Sequence, residues 1–329
     1  MKDQIRAFVL EGTPDAVQAS LKTVPAASLP AGEVTVKVEY SGINYKDAMI
    51  SAGVGKMVRK FPHVPGVDLA GTVESDATGK FKPGAPVLVT GYDLGVGAWG
   101  GYAEAARVPA AWVVPLPAGL SAKEAATLGT AGFTAMLAVL ALERNGLKPS
   151  QGTVLVTGAT GGVGSIAVDL LARAGYTVAA SSGKPEMKEF LTRLGASQIL
   201  TRQEVTDASG KVMLKEQWAG AIDNAGGTTL EYLLRSVKGG GSVALTGLVS
   251  SPNFTGTVYP FILRGVNLLG IDSVNCPMEA RLAAWRLLAG PRKPKHLDSI
   301  GHEIGLADLP AKLKEILGGG AKGRYVVKI

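Results

Sequence analysis

The chain has 329 residues, 46% of them hydrophobic and 19% charged, which supplies apolar matter for two ordinary domain cores and excludes a disordered protein. Its formal charge of +7 comes from Lys and Arg scattered along the chain, without zinc-finger spacing or an aromatic RNA-binding motif, so nucleic acid is not an expected partner. The single cysteine, Cys276, excludes an internal disulfide and reads as a small buried hydrophobe suited to a reducing compartment.

The opening "MKDQIRAFVLEG" carries charges within its apolar run and lacks a cleavable signal pattern, which predicts a cytoplasmic protein. Up to about residue 120 the chain reads as short strands between Gly, Pro and Asp clusters: "IRAFVL", "EVTVKVEYSGI", "GVDLAGTVE", "APVLVTG", "GGYAEAARV" and "WVVPLP". Within this region the glycine-rich "GYDLGVGAWGG", residues 91 to 101, reads as a mobile loop with Trp99 as a lid. Ala125–Leu142 is uncharged and long enough to imitate a membrane span, but its glycines, threonines and alanines make it weakly hydrophobic and favour a buried helix, with no membrane partner.

From about residue 123 strands alternate with helices, the strands falling near 154–157, 177–181, 197–200, 219–223, 241–246 and 267–271. That order predicts an α/β fold with a doubly wound parallel sheet. The helical "LADLPAKLKEILG" and the strand "RYVVKI" then return to the first domain. The expected organisation is a β-rich domain of residues 1–123 and 295–329, with a doubly wound α/β domain of residues 124–294 inserted into it.

The stretch "VLVTGATGGVGSIAV", residues 154–168, is strand, tight turn and helix. Ala159, Gly161 and Gly164 occupy the three positions of the dinucleotide fingerprint, with alanine in place of the first glycine, and Gly162 adds room. Small residues let the backbone approach a pyrophosphate, whose charge meets free N–H groups at the helix terminus. "TGATGGVG" also satisfies the TGxxxGxG pattern of short-chain dehydrogenases, and "DNAG" at 223–226 echoes their Asn-Ala-Gly segment. That family places the turn near the N-terminus and needs a Tyr with Lys four residues on, which none of the eight tyrosines here has.

Over nearly its whole length the chain resembles the medium-chain dehydrogenase/reductase superfamily, through "PGVDLAGTV", "GTAGFTAM", the glycine turn and "GRYVVKI". The resemblance implies a GroES-like β-rich domain beside the Rossmann-type domain. Zinc alcohol dehydrogenases of that superfamily carry His-Glu after the glycine of the "PG" segment; here the pair is Val67-Asp68, and with one cysteine and three histidines a metal-free enzyme is expected. Within the zinc-independent branch, "INYKDAMISAGVGKMVRKFPHVPGVDLAGTV", "WGGYAEAARV", "LGTAGFTAML", "WAGAIDNAGG" and "PFILRGVNLLGIDSV" are similar to the acrylyl-CoA reductase and quinone oxidoreductase subfamily.

NADPH is the expected cofactor. The second strand of the cofactor domain ends in Ser181, Ser182, Gly183 and Lys184, where an NAD-selective fold carries Asp or Glu for the ribose 2′-OH. A lysine with hydroxyls and free amides suits a 2′-phosphate, and the resemblance adds Arg202 as a second phosphate or adenine contact. It also implies Thr160, Gly161, Gly162 and Val163 on the pyrophosphate, and Leu248, Ile262 and Ser273 near the nicotinamide or its ribose. Leu248 and Ile262 read equally as ordinary core. Reduction of an enone-like thioester puts negative charge on its oxygen, which without a metal requires hydrogen-bond donors. "GINYKDAM" offers Asn44, Tyr45 and Asp47; Tyr45 either donates a proton or hydrogen bond, or packs its ring on the nicotinamide as a cofactor contact, or serves plain packing. Lys56, Arg59, Lys60 and Arg264 either form a rim for an anionic ligand such as a CoA thioester or are plain solvated charges. The expected activity is reduction of acrylyl-CoA or a similar short enoyl-CoA, with quinone or enone reduction as the alternative enzyme and an NADPH-binding structural or regulatory protein as the alternative of another class. The family implies a homodimer.

Overall fold

The computed structural model describes residues 2–329. A hairpin of β1 (Gln4–Thr13) and β2 (Ala16–Pro25) is followed by β3 (Val34–Gly42), α1 (Tyr45–Ser51), β4 (Asp68–Asp76), β5 (Pro86–Thr90), β6 (Ala105–Val108) and β7 (Val114–Pro115). Helix α2 (Ala122–Arg144) leads into β8 (Val154–Val156), α3 (Gly162–Arg173), β9 (Val178–Ser181), α4 (Lys188–Arg193) and β10 (Gln198–Leu200). Then come β11 (Trp218–Asp223), α5 (Gly227–Ser236), β12 (Val237–Leu245), α6 (Tyr259–Arg264) and β13 (Asn267–Gly270). The remainder is α7 (Met278–Ala289), α8 (Leu297–Ile300), β14 (Gly301–Gly305), α9 (Leu309–Leu317) and β15 (Arg324–Lys328).

Two compact units result, one of Met1–Thr130, Val274–Ala289 and Leu297–Ile329, the other of Ala131–Ser273 and Gly290–His296. Relative to the 124–294 span expected for the cofactor domain, the difference lies mainly in α7. Arg281 of that helix is fully buried in the first unit, where its guanidinium donates to Thr90 O at 2.7 Å and Val274 O at 3.1 Å and lies 4.4 Å from the Tyr92 ring centroid. A buried cation with those partners ties the helix to β5 more firmly than its weak amphipathic pattern suggests.

In the second unit six strands form a sheet in the order β10-β9-β8-β11-β12-β13, every pair parallel. Chain order reverses between β8 and β11, and the carboxyl ends of strands at such a switch point are where a ligand sits in this architecture. β8 is three buried aliphatic residues because helices cover both faces of a parallel sheet. Helix α3 buries Ile166, Ala167, Leu170 and Leu171 at helical spacing, while Val163 and Ala174, at the same spacing, are only partly buried.

The first unit holds a seven-stranded sheet in the order β14-β15-β3-β4-β5-β7, with β6 also on β3. β15, the "RYVVKI" segment, pairs antiparallel with β3 and parallel with β14, so the end of the chain does return to the first unit. The uncharged stretch of α2 is a core helix: 78% of its most apolar window is buried. Gly129 interrupts α2 with φ +48°.

The glycines of 91–101 serve close approach. Gly100 N donates to Val64 O at 2.7 Å, Gly101 N to Gly66 O at 2.8 Å and Trp99 Nε1 to Pro62 O at 3.2 Å, while His63 Nε2 sits 2.9 Å from Gly95 O. A Cβ on Gly100 would lie 2.3 Å from Gly66 O. The segment expected to be a mobile lid is thus laced to residues 62–66 along its length.

Candidate functional site

The turn after β8 is built for a ligand that approaches backbone. Gly158 takes φ +55°, and Gly161 caps α3 in an extended conformation with no side chain capping the helix. The first N–H groups of α3, from Gly162 onward, are therefore left for an anion. Gly164 serves packing instead, because a Cβ there would stand 2.4 Å from Gly158 O and 2.7 Å from Ala159 Cα, so only glycine seats the helix on the turn. At Gly161 such a Cβ would meet only Gly158 O, at 3.4 Å, an ordinary contact. These residues fit a dinucleotide pyrophosphate.

The end of β9 lies beside this turn. Thr160 Oγ1 is 3.3 Å from Ser182 Oγ, which also accepts from Lys184 N at 3.0 Å, and Ser182 N donates to Leu200 O at 2.9 Å. Arg202, just past β10, lays its guanidinium over Gly183: a Cβ on that glycine would be 2.5 Å from Arg202 Nε. The structure thus brings together Thr160, Ser182, Gly183, Lys184 and Arg202, with no carboxylate among Ser181 to Lys184. Glu204, the acid nearest in sequence to Arg202, is engaged by Thr201 N and Oγ1 at 2.8 Å each.

Leu248 and Ile262 are not core; they are 50% and 69% exposed. Ser273, buried, accepts a 2.8 Å hydrogen bond from Thr134 Oγ1 of α2. Two members of the expected anionic rim are committed elsewhere. Arg264 donates to Arg235 O at 2.9 Å and Leu214 O at 2.6 Å and pairs with Glu216, so its guanidinium staples internal carbonyls, while Lys56 pairs with Asp15.

In the first unit, Tyr45 opens α1 and packs, partly buried, against the core that contains Ile43, Ile50 and Val67. The helix start is held by a buried polar network. Asp47 accepts from Asn44 N at 2.8 Å and from Val67 N at 2.9 Å. Asn44 Nδ2 donates to Asp68 Oδ2 at 2.8 Å, Thr130 N and Oγ1 donate to Asp68 Oδ1 at 2.9 and 2.5 Å, and Arg324 Nη2 reaches Asp68 Oδ2 at 3.2 Å. Arg324 also donates to Asn44 Oδ1, Ile43 O and Thr127 O at 2.9, 2.6 and 2.9 Å. The kink glycine makes room for the pair, since a Cβ on Gly129 would meet Asp68 Oδ2 at 2.2 Å. Burial, and next the charge of Asp68, push the Asp47 carboxyl up to about 6 against the pull of its two backbone donors. Burial likewise pushes the Tyr102 phenol, fully enclosed beside them, well above its ordinary range.

Arg324 and Thr130 escaped the sequence reading as site residues. Both stand in motifs that were visible, "GRYVVKI" and "GTAGFTAM", but nothing in a linear pattern shows that they converge on Asp68. No three His, Cys, Asp or Glu side chains among the described residues form a group that could hold a metal. At the position of the zinc-branch His-Glu pair, Val67 contributes its backbone N–H and Asp68 is saturated by N–H and O–H donors, so these residues do not fit a catalytic zinc.

Residues 30–118 match the alcohol dehydrogenase GroES-like domain and residues 162–290 the zinc-binding dehydrogenase domain. The chain belongs to the medium-chain dehydrogenase/reductase superfamily and is an oxidoreductase of that class. It is 49% identical over 312 residues to the acrylyl-CoA reductase AcuI of Ruegeria pomeroyi, covering 95% of this chain and 94% of that one. The yhdH oxidoreductase from Salmonella enterica, solved in complex with NADP, superimposes with a TM-score of 0.95 at 46% identity, over 98% of this chain and 99% of that one. The Bacillus subtilis protein yhfP, solved with NAD bound, does so with a TM-score of 0.96 at 47% identity over the whole of both chains.

Proposed function

We propose that this chain is an NADPH-dependent reductase of activated C=C bonds that converts acrylyl-CoA, or a similar short enoyl-CoA, to the saturated acyl-CoA. The observation that carries the cofactor reading is the carboxylate-free end of β9, where Ser182 and Lys184 stand with Arg202 over Gly183. The substrate reading is supported by the full-length similarity to an acrylyl-CoA reductase. A cytoplasmic homodimer is part of the same proposal.

Bound NADPH supplies the hydride that adds to the β-carbon. Thr160, Gly161, Gly162 and Val163 bind the pyrophosphate, Ser182, Gly183, Lys184 and Arg202 the adenosine 2′-phosphate, and Leu248, Ile262 and Ser273 the nicotinamide end. Tyr45 donates a hydrogen bond to the thioester oxygen as charge gathers there, and the α-carbon of the enolate takes up a proton from solvent water. Asn44, Asp47, Asp68 and Arg324 hold the start of α1 and so orient Tyr45.

Cofactor choice has a direct test. A hydrogen bond to a charged group contributes about 1.5 to 3 kcal/mol, so Lys184→Ala should weaken NADPH binding roughly 10- to 150-fold and leave NADH binding nearly unchanged, as read by fluorescence titration. Equal losses for both cofactors would show that Lys184 does not read the 2′-phosphate.

The activity itself is tested on purified protein after prolonged chelation, by following NADPH oxidation and acyl-CoA product together. Turnover of acrylyl-CoA, but not of free acrylate or a quinone, is the expected result. Comparable efficiency with a quinone would favour the alternative enzyme, and tight NADPH binding without turnover of any acceptor would favour a binding protein. Activity that disappears with removal of stoichiometric zinc would overturn the metal-free reading.

A further inference from the structure

The segment "DNAG", residues 223–226, sits between the two ends of the cofactor site, and neither the fingerprint nor the Lys184–Arg202 cluster uses it. It follows β11, the strand next to β8 across the switch point. Asp223 is fully buried with its oxygens taken by Thr157 Oγ1, Ala225 N and Gly226 N. Asn224 makes bonds in both directions. Its Nδ2 donates to Thr157 O at 2.7 Å and its backbone N to Thr157 Oγ1 at 3.0 Å, which ties it to the residue that begins the glycine turn. Its Oδ1 accepts from Thr246 Oγ1 at 2.7 Å, and its backbone O from Val249 N at 3.3 Å, which ties it to the loop that carries Leu248. Ser250 N and Ser251 N both donate to Ala225 O, extending the same clamp. Contact is close on both sides: a Cβ on Gly247 would stand 2.6 Å from Asn224 O, and one on Gly158 would stand 3.3 Å from Asn224 Cβ.

We infer that Asn224 and Thr246 are positioning residues that fix the separation between the glycine turn and the Leu248 loop, and thereby hold the pyrophosphate and nicotinamide ends of the cofactor site at the spacing of one dinucleotide. The inference rests on the cofactor reading above. One amide side chain bonds both loops, so its loss loosens the tie between them and leaves only the backbone bonds of Asn224 and Ala225. Leu248 is half exposed and has little core packing of its own to keep it in place. The hydrogen bonds to Asn224 and Ala225 therefore set its position.

Thr246→Val removes the hydroxyl and keeps the shape, Thr246→Ser keeps the hydroxyl, and Asn224→Ala removes both side-chain bonds, to Thr157 O and from Thr246 Oγ1. Each is titrated with NADPH and with 2′,5′-ADP, which carries the adenosine end alone, and amide hydrogen exchange is followed over residues 247–251. Thr246→Val and Asn224→Ala should lose roughly 5- to 10-fold in NADPH affinity, the scale of one hydrogen bond. Affinity for 2′,5′-ADP should stay within about twofold, and exchange at Val249, Ser250 and Ser251 should accelerate. Thr246→Ser should match the unaltered protein in all three measurements. Parallel losses for NADPH and 2′,5′-ADP would overturn the inference by showing a general structural role. Faster exchange with NADPH affinity unchanged would overturn it equally, because the loop would then not set the cofactor's fit. Unaltered protein that binds 2′,5′-ADP but gains nothing from the nicotinamide half would instead overturn the assignment of Leu248, and failure to bind either would overturn the cofactor reading itself.

Discussion

Replacing Tyr45 by phenylalanine should lower kcat with acrylyl-CoA by about 100- to 1,000-fold, the typical loss for one oxyanion donor, and leave NADPH affinity within about twofold. The substitution keeps the ring, which packs against the core of the first unit, and removes only the hydroxyl, so stability should hardly change. The magnitude follows from where charge develops. Hydride arriving at the β-carbon pushes electrons onto the thioester oxygen, and a donor aimed at that oxygen acts most strongly in the transition state. Packing predicts the reverse pattern: Tyr45→Phe silent, Tyr45→Ala destabilising or weak in NADPH. Single-turnover rates and NADPH titrations on both variants separate the two, and a silent Tyr45→Phe would leave backbone amides or water to meet the charge.

In the second unit β8, β9 and β11 were legible because each is a short, largely apolar run buried along its whole length, and the glycine turn was legible because its chemistry is local. β2 was not, since its side chains are largely exposed and its one partner is β1. β14 was missed for a related reason: "GHEIG" has no apolar run, and it becomes a strand only because β15 offers it an edge. The glycines of 91–101 look the same in sequence whether they loosen a loop or let two backbones touch; Gly100 against Gly66 O shows which applies here. The same ambiguity hid the kink at Gly129, whose φ of +48° makes sense only once Asp68 and Arg324 are in place against it. In the candidate site, the glycine turn and the carboxylate-free end of β9 pointed to a dinucleotide by spacing and residue type, whereas Arg202, Leu248, Ile262 and Ser273 entered through the family resemblance and belong to the proposal. Arg264 was misread because a surface cation and a guanidinium stapling two carbonyls are indistinguishable until Leu214 O and Arg235 O are located.

Arg324→Met should destabilise the protein by about 3 to 5 kcal/mol, the cost of leaving a buried carboxylate without its cation, as measured by urea unfolding near neutral pH. Asp68 is 1% exposed and Arg324 2%, so water cannot take the place of the lost charge. Lowering the pH should narrow the deficit. Asp47 shows the sign in the unaltered protein: its carboxyl lies at about 6, above the ordinary 3.8, so the folded chain takes up a proton before the unfolded chain does. Its contribution to stability therefore falls as pH rises from 3.8 to about 6 and is level on either side. With Arg324 gone, protonation of Asp47 relieves its repulsion with the charge of Asp68 beside it, and the gap from the unaltered protein at about pH 5 should be smaller than at about pH 7.5. A deficit equal at both values would assign the loss to the carbonyls of Ile43 and Thr127 rather than to charge. The paired change Asp68→Asn with Arg324→Met should recover much of the stability. Its new amide can still accept from Thr130 N and Oγ1, and it can donate to Asn44 Oδ1, the acceptor that Arg324 vacates. Recovery of folding without recovery of acrylyl-CoA reduction would place the charged pair in the orientation of Tyr45 as well as in the stability of the first unit, because Asn44, which caps α1 immediately before Tyr45, would then be held by a weaker and reoriented bond.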